Sequence, residues 1–446
     1  IHATEIFQMT QNKGLKKTLT PFMLWGLGVG YVISGMYFGW NLGLEKGGTG
    51  GMAIATLVIM VMYVTFTFSY AELACAIPKA GGVFDYANRA MGKNIGFVAG
   101  IAQVIEFILA PPAIAFAIGA YFNAFFPQVP ILTSAIAIYF VFTGLNVYGV
   151  KAAASFEVIV TIFAVGELLL FAGLSLPKFQ AVHLTSNPLP FGWGGAFAAI
   201  PFAIWFFLGI EGIANVAEET KNPQRDISKG FGWAILTLAI LCILIFVSAT
   251  GIAGWEAIVY KNGISGETSD SPLPLALAKI TGSNHPMYHL LITVGLFGLV
   301  ASFHGLILAA GRSTYEMGRV HNLPAALGKI SPRFHTPANA LLGNMVIGIL
   351  ALLSGKTSEI IVVSVFGALT LYIISMVSII ILRRREPDLP RPFRVAFYPV
   401  FPVVALVIAT ISIVAMFIFN LLLGIIYFSL LAVSFLLYKI IKPAHT

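Results

Sequence analysis

Residues 26–40 read Gly26-Leu27-Gly28-Val29-Gly30-Tyr31-Val32-Ile33-Ser34-Gly35-Met36-Tyr37-Phe38-Gly39-Trp40. Five glycines in fifteen residues oppose a continuous helix, each by about 1 kcal/mol relative to alanine. Yet the stretch lies inside an apolar block, 20–44, long enough to cross about 30 Å of hydrocarbon. Inside a bilayer a chain unwinds only where neighbouring helices or a cavity satisfy the freed backbone groups. A second stretch has the same character: Trp205-Phe206-Phe207-Leu208-Gly209-Ile210-Glu211-Gly212. Packing glycines, common in membrane helices, are the alternative reading for either stretch alone.

Around these two stretches the chain is apolar throughout. Hydrophobic residues make up 58% of its 446 residues and charged residues 10%, against about 25% charged in soluble domains. Twelve spans are expected, at 20–44, 50–76, 94–126, 129–148, 152–175, 193–217, 232–254, 286–310, 338–355, 358–382, 396–419 and 421–440. The two glycine-rich stretches then fall in spans 1 and 6. That is the spacing an inverted repeat of five helices produces, and interrupted segments at matching positions mark a transporter's central site. The expected organisation is a tail at 1–19, a first five-helix repeat at 20–175, an inverted second repeat at 193–382, and two further helices at 396–440.

The net charge of +8 follows the loops and gives no sign of a nucleic-acid partner. Of the 26 lysines and arginines, only Lys46, Lys178, Lys261, Lys279 and Lys356 lie on one side of these spans; the other 21 lie on the side of both termini. By the positive-inside rule that side is cytoplasmic, so an inner (plasma) membrane protein with both termini inside is expected. Residues 1–19 are polar and basic, and the first apolar block exceeds a signal h-region, so no cleavable signal is expected. Cys75 and Cys242 read as small buried residues without a disulfide. The loops 255–285 and 311–337 carry turn-forming residues and no core of their own.

Several blocks resemble the amino acid–polyamine–organocation permease superfamily: Ala71-Glu72-Leu73 with Ile77-Pro78-Lys79-Ala80-Gly81-Gly82; Ala217-Glu218-Glu219-Thr220-Lys221-Asn222-Pro223; Leu308-Ala309-Ala310-Gly311-Arg312 with Tyr315-Glu316-Met317-Gly318-Arg319 and Asn322-Leu323-Pro324; and Arg391-Pro392-Phe393-Arg394-Val395. Within it the chain looks most like ethanolamine permeases, through Ile33-Ser34-Gly35, Tyr37-Phe38-Gly39-Trp40-Asn41, Ile105-Glu106, Phe156-Glu157, Glu167-Leu168 and Phe207-Leu208-Gly209-Ile210-Glu211-Gly212. The resemblance implies two inverted five-helix repeats plus two helices, alternating access, and a gating role for Trp205. The chain departs from the pattern at Met36, where members often carry an acid, and at Ala164, where proton-coupled relatives carry a lysine.

Intramembrane acids cost about 2.5–3.5 kcal/mol on insertion scales, so they point to function. Four are expected within the spans: Glu106, Glu157, Glu167 and Glu211. The candidate substrate site is Ile33, Ser34, Gly35, Tyr37, Phe38, Glu106, Trp205, Phe206, Leu208, Gly209 and Glu211, with Tyr31 and Phe207 close by in sequence. Glu157, Glu167, Trp205 and His304 are candidates for gating or coupling. Acids together with aromatic rings suit an ammonium group. The expected ligand is a small cationic or zwitterionic amine, ethanolamine first, with a coupling proton or sodium ion and no cofactor or metal. Neutral glutamic acids bonded between helices are the alternative for each acid. Trp40 beside an external loop could be an interfacial anchor. Arg312 is expected to cap carbonyls at a helix end. Glu72, Glu218 and Glu219, with Lys79, Arg89 and Lys221, are expected to form an inner ion-pair network. An amino acid or polyamine permease is the nearest rival. A membrane-embedded enzyme or lipid-handling protein would need paired catalytic groups in a cavity, and no span shows such a pair; a channel is a further alternative that would more naturally show a filter repeated by symmetry.

Overall fold

The computed structural model of the chain describes residues 17–148 and 153–441. The tail through residue 16, Lys151 and Lys442, which enter the charge count above, lie outside them. The protein is an all-helical, multi-span membrane protein. Among the described residues ten helices are long and apolar enough to cross a bilayer. Two further spans complete the expected twelve. Span 9 is a fifteen-residue apolar helix, Ala338–Leu352. Span 1 is divided into Pro21–Val32, Ser34–Tyr37 and a third piece beginning at Asn41.

The helix ends follow local chemistry. Thr20 caps span 1 through the Met23 N–H, with Pro21 in the first turn where its missing N–H costs nothing. Pro223 and Pro286 open spans 7 and 8 in the same way. Gly48, at φ 65°, divides the continuous run Asn41–Ala76 into the end of span 1 and the whole of span 2. A Cβ there would meet Pro190, so the corner is closed to other residues by both space and φ.

Span 7 begins at Pro223 and span 8 runs to Arg319, each about nine residues beyond the apolar limits read from sequence. Hydropathy marks only the part in hydrocarbon, whereas helical hydrogen bonding continues into the polar zone. The loops also carry helices: Val83–Met91 after span 2, and Glu256–Val259 and Pro272–Thr281 between spans 7 and 8. The latter two bury Ile258, Val259, Leu273 and Leu277 against the bundle. Cys75 and Cys242 are buried and free.

Candidate substrate and gating site

Both expected breaks are present, with different constructions. In span 1 the Ser34 N–H should bond the Gly30 carbonyl one turn back. Instead it donates to the Ser302 hydroxyl of span 8 at 3.0 Å, and that hydroxyl donates to the Gly30 oxygen. A side chain inserted into the ladder in this way bends a helix. The helix resumes at Ser34 for a single turn, Ser34–Tyr37. The true interruption is Phe38–Trp40, where Phe38 is extended (φ −161°, ψ 174°) and Gly39 has φ 86°. In span 6 the helix stops at Trp205 and turns through 206–209, with Gly209 at φ 100°. It continues as a tighter 3₁₀ helix, Ile210–Glu219.

The two breaks touch. A Cβ on Gly35 would lie 2.4 Å from the Trp205 carbonyl oxygen and 3.0 Å from Phe206 Cα, so backbone meets backbone. Phe38 packs edge-on against Trp205 at 5.5 Å, and Trp40 stacks on Phe206 at 5.4 Å. Trp40 is fully buried and donates its indole N–H to the Met36 carbonyl, so it is no interfacial anchor. The Trp205 indole N–H is buried and has no acceptor among the described residues.

Glu211 lies in the first turn after the span 6 break and is fully buried. Its Oε2 accepts from the Tyr372 hydroxyl at 2.9 Å. Because that proton is committed, the 3.0 Å contact of Tyr372 with Tyr63 needs the Tyr63 hydroxyl as donor. Glu106 of span 3 lies beside Glu211, carboxyl toward carboxyl. Glu211 Oε1 and both Glu106 oxygens have no hydrogen-bond donor among the described residues. Among the described residues no lysine or arginine pairs with either group. Two adjacent buried carboxyls cannot both stay ionised without a cation beside them. The arrangement can therefore hold a proton, an ammonium group, or both in turn.

The remaining candidates separate into two places. Tyr37 turns toward span 5, donating to the Ala164 carbonyl at 3.0 Å and adjoining Glu167, with its ring against Gly295 and Gly298 of span 8. Nearer the chain's N-terminal face (the N-face), Glu157 and His304 come together, Nδ1 to Oε2 at 3.5 Å. Ile33 and Leu208 are buried packing residues beside the breaks. Sequence reasoning missed Tyr63, Tyr372 and Ser302. Polar hydroxyls in otherwise aliphatic spans were the available signal, but they lie outside the two glycine-rich stretches.

The inner network is present with partners other than those expected. Glu72 receives Arg383 in a two-pronged pair at 2.7 Å each, with the Val395 N–H at 2.8 Å. Arg312 pairs with Glu219 at 2.7 Å rather than capping carbonyls. Arg89 pairs with Glu386, and Glu218 accepts the Ala80 N–H.

The model of the family described as "Amino acid permease" matches residues 19–438, nearly the whole described fold, and the chain belongs to that family. It is 27% identical over 425 residues to the branched-chain amino acid permease BcaP of Bacillus subtilis, covering 88% of this chain and 87% of that one. It is 25% identical over 411 residues to the low-affinity putrescine importer PlaP of Escherichia coli, covering 87% of each. Similarity also extends to the vacuolar cationic amino acid transporter 4 of Arabidopsis thaliana, at 28% over 403 residues, covering 84% of this chain and 64% of that protein. The protein is a membrane transporter, not an enzyme.

Proposed function

We propose that this permease imports a small primary amine, ethanolamine first, by alternating access of two inverted five-helix repeats (20–175 and 193–382). The N-face is the cytoplasmic face of the plasma membrane in this reading, because the basic residues gather there. The observation that carries the substrate reading is a set of complementary orphans at the breaks. Among the described residues Glu211 Oε1 and both Glu106 oxygens are buried acceptors without donors, and the Trp205 indole is a buried donor without an acceptor. An amino alcohol supplies both: its ammonium group to the carboxyls, its hydroxyl oxygen to the indole N–H. The rings of Phe38 and Trp205 favour the cation further.

Polyamine transport is the second reading. It is favoured by Glu167, a third buried acid with a free oxygen beside Tyr37, and by the name of the putrescine importer. A zwitterionic amino acid fits less well. The Ser34 N–H is already bonded, and Gly35 abuts the span 6 backbone, so the span 1 break offers a carboxylate little room.

A thermal-shift screen of the purified protein with ethanolamine, putrescine, arginine, alanine and choline tests the reading. Ethanolamine is expected to stabilise it, and Glu211→Gln to weaken that binding by the roughly 1.5–3 kcal/mol of a charge-assisted hydrogen bond. Stabilisation by alanine alone would overturn the amine assignment; equal affinity in the variant would remove Glu211 from the site.

A further inference from the structure

Glu157 is almost fully buried, and among the described residues its ionisable partner is His304 across the span 5–span 8 interface. Two glycines bring the surrounding backbone onto this pair. A Cβ on Gly30 of span 1 would lie 2.5 Å from Glu157 Oε1 and 2.9 Å from Thr161 Oγ1. A Cβ on Gly305 of span 8 would lie 2.4 Å from the Tyr31 ring and 3.2 Å from the same Oε1. Span 1 is thus pressed against the carboxyl group with no side chain between. Among the described residues neither Glu157 oxygen has a hydrogen-bond donor.

The other groups facing this place are neutral or already engaged. Span 1 contributes Tyr31 and the Gly26 carbonyl, which accepts from Thr161. Span 4 contributes Phe142, whose ring meets His304 edge-on, and Asn146, whose amide reaches the His304 carbonyl. Span 8 contributes Arg312, which is occupied by Glu219 of span 6. Among the described residues, the net charge of the site is therefore set by the Glu157–His304 pair.

We propose that Glu157 and His304 together bind the single coupling proton of the transport cycle, and that this proton holds residues 21–37 docked on spans 5 and 8. The proposal rests on the permease reading for its role in transport. With one proton held between them the pair is neutral overall. When the proton leaves, a bare carboxylate faces Gly30 with no donor, and burying it unpaired is costly. Span 1 then moves away, water reaches Glu157, and the N-face opens. A sodium ion is a poorer occupant, because an imidazole edge stands where a further oxygen ligand would be needed. The pair lies apart from Glu106 and Glu211, so substrate charge and coupling charge are held separately.

Hydrogen–deuterium exchange of residues 21–37 in the substrate-free protein, corrected for the intrinsic pH dependence, tests this. Wild-type exchange is expected to rise about tenfold or more from pH 5.5 to pH 8.5, as the docked state loses its proton. Glu157→Gln is expected to stay protected at every pH, and His304→Gln to move the midpoint of the response. Gly30→Ala, which crowds the docked face directly, is expected to raise exchange at all pH values. A flat wild-type profile, an unchanged response in Glu157→Gln, or an unmoved midpoint in His304→Gln would overturn the proposal. Since no amine is present, a negative substrate screen would refute the amine reading and leave this result to stand or fall alone.

Discussion

The two faces of the bundle are held by different kinds of contact. On the N-face, Glu72 in span 2 binds Arg383 at the end of span 10, with Arg391 at 3.4 Å; Arg89 binds Glu386; and Arg312 in span 8 binds Glu219 in span 6. Each joins segments far apart in sequence, and Glu72 is only 1% exposed; Arg89–Glu386 is exposed, and a further N-face pair, Arg319–Glu316, is local. On the opposite face the ion pairs are Lys46–Glu45, Lys261–Glu267 and Lys356–Glu359, local and mostly exposed. The long-range links there are neutral or singly charged: Asn41 to the Ser269 carbonyl at 2.8 Å, and Thr357 to Asp270 at 3.1 Å. Buried pairs across elements resist separation, whereas exposed local ones contribute about 0–1 kcal/mol. In this conformation the N-face is therefore the more firmly closed, and opening it requires breaking identifiable contacts.

The largest effect is expected at Glu72. It meets two guanidinium groups and a backbone N–H, so Glu72→Gln leaves Arg391, nearly buried, without its counter-charge. The expected loss is about 3–5 kcal/mol of stability, the cost of removing one partner from a buried pair. Chemical denaturation of the purified protein measures it. A loss below about 1 kcal/mol would mean that the span 10–11 loop is held by other contacts.

Arg312→Gln comes next. The pair with Glu219 is partly exposed, at 15% and 16%, and stands between the exposed and buried cases. Glu219 also accepts, through its carbonyl, the N–H groups of Thr18 and Leu19, so this one residue ties the start of span 1 and, through Arg312, span 8 to the end of span 6. The variant is expected to favour the open N-face by about 1–2 kcal/mol, seen as faster amide exchange at 17–20 and 215–222. Unchanged exchange in both segments would remove this pair from the gate. By contrast, Lys261→Ala on the opposite face is expected to shift stability by no more than about 0.5 kcal/mol; a larger loss would erase the contrast between the faces.

How much of this could be read beforehand follows from the range of each signal. The spans, their number and the two breaks come from local composition, because apolar length and glycine clusters act where they stand in sequence. Glu106 and Glu211 were identifiable singly, since an acid in hydrocarbon is conspicuous wherever it falls. Their adjacency was not, nor was the Glu157–His304 contact, because each joins residues more than a hundred positions apart through packing. Arg312 shows the limit well: beside a helix end it suggested carbonyl capping, and only the approach of span 6 supplied Glu219. Ser302 was invisible for the same reason, as nothing in Leu299-Val300-Ala301-Ser302 indicates that its hydroxyl enters another helix.

The smallest effect is one of sign. On the N-face, the Arg89 guanidinium holds the exposed Glu386 carboxyl below its ordinary range. A depressed carboxyl contributes stability above its unfolded value and loses it as pH falls through the folded one. On the opposite face, burial lifts Asp270 to about 6, with Thr357 and Lys261 pulling the other way. A raised carboxyl binds its proton more tightly when folded, so its contribution improves as pH falls from above 6 toward the unfolded value near 3.8. Acidification from pH 7 to pH 5 should then tighten the seat of the loop over Asn41 and span 10, while Arg89–Glu386 begins to weaken only at lower pH. Asp270→Asn removes the first term and leaves the second. The difference in melting temperature between wild type and this variant should narrow or widen steadily across pH 7 to 5 in the direction that favours wild type at the acid end. Parallel curves would show that Asp270 does not titrate in this range, and the two faces would then differ in contact strength alone, not in their response to pH.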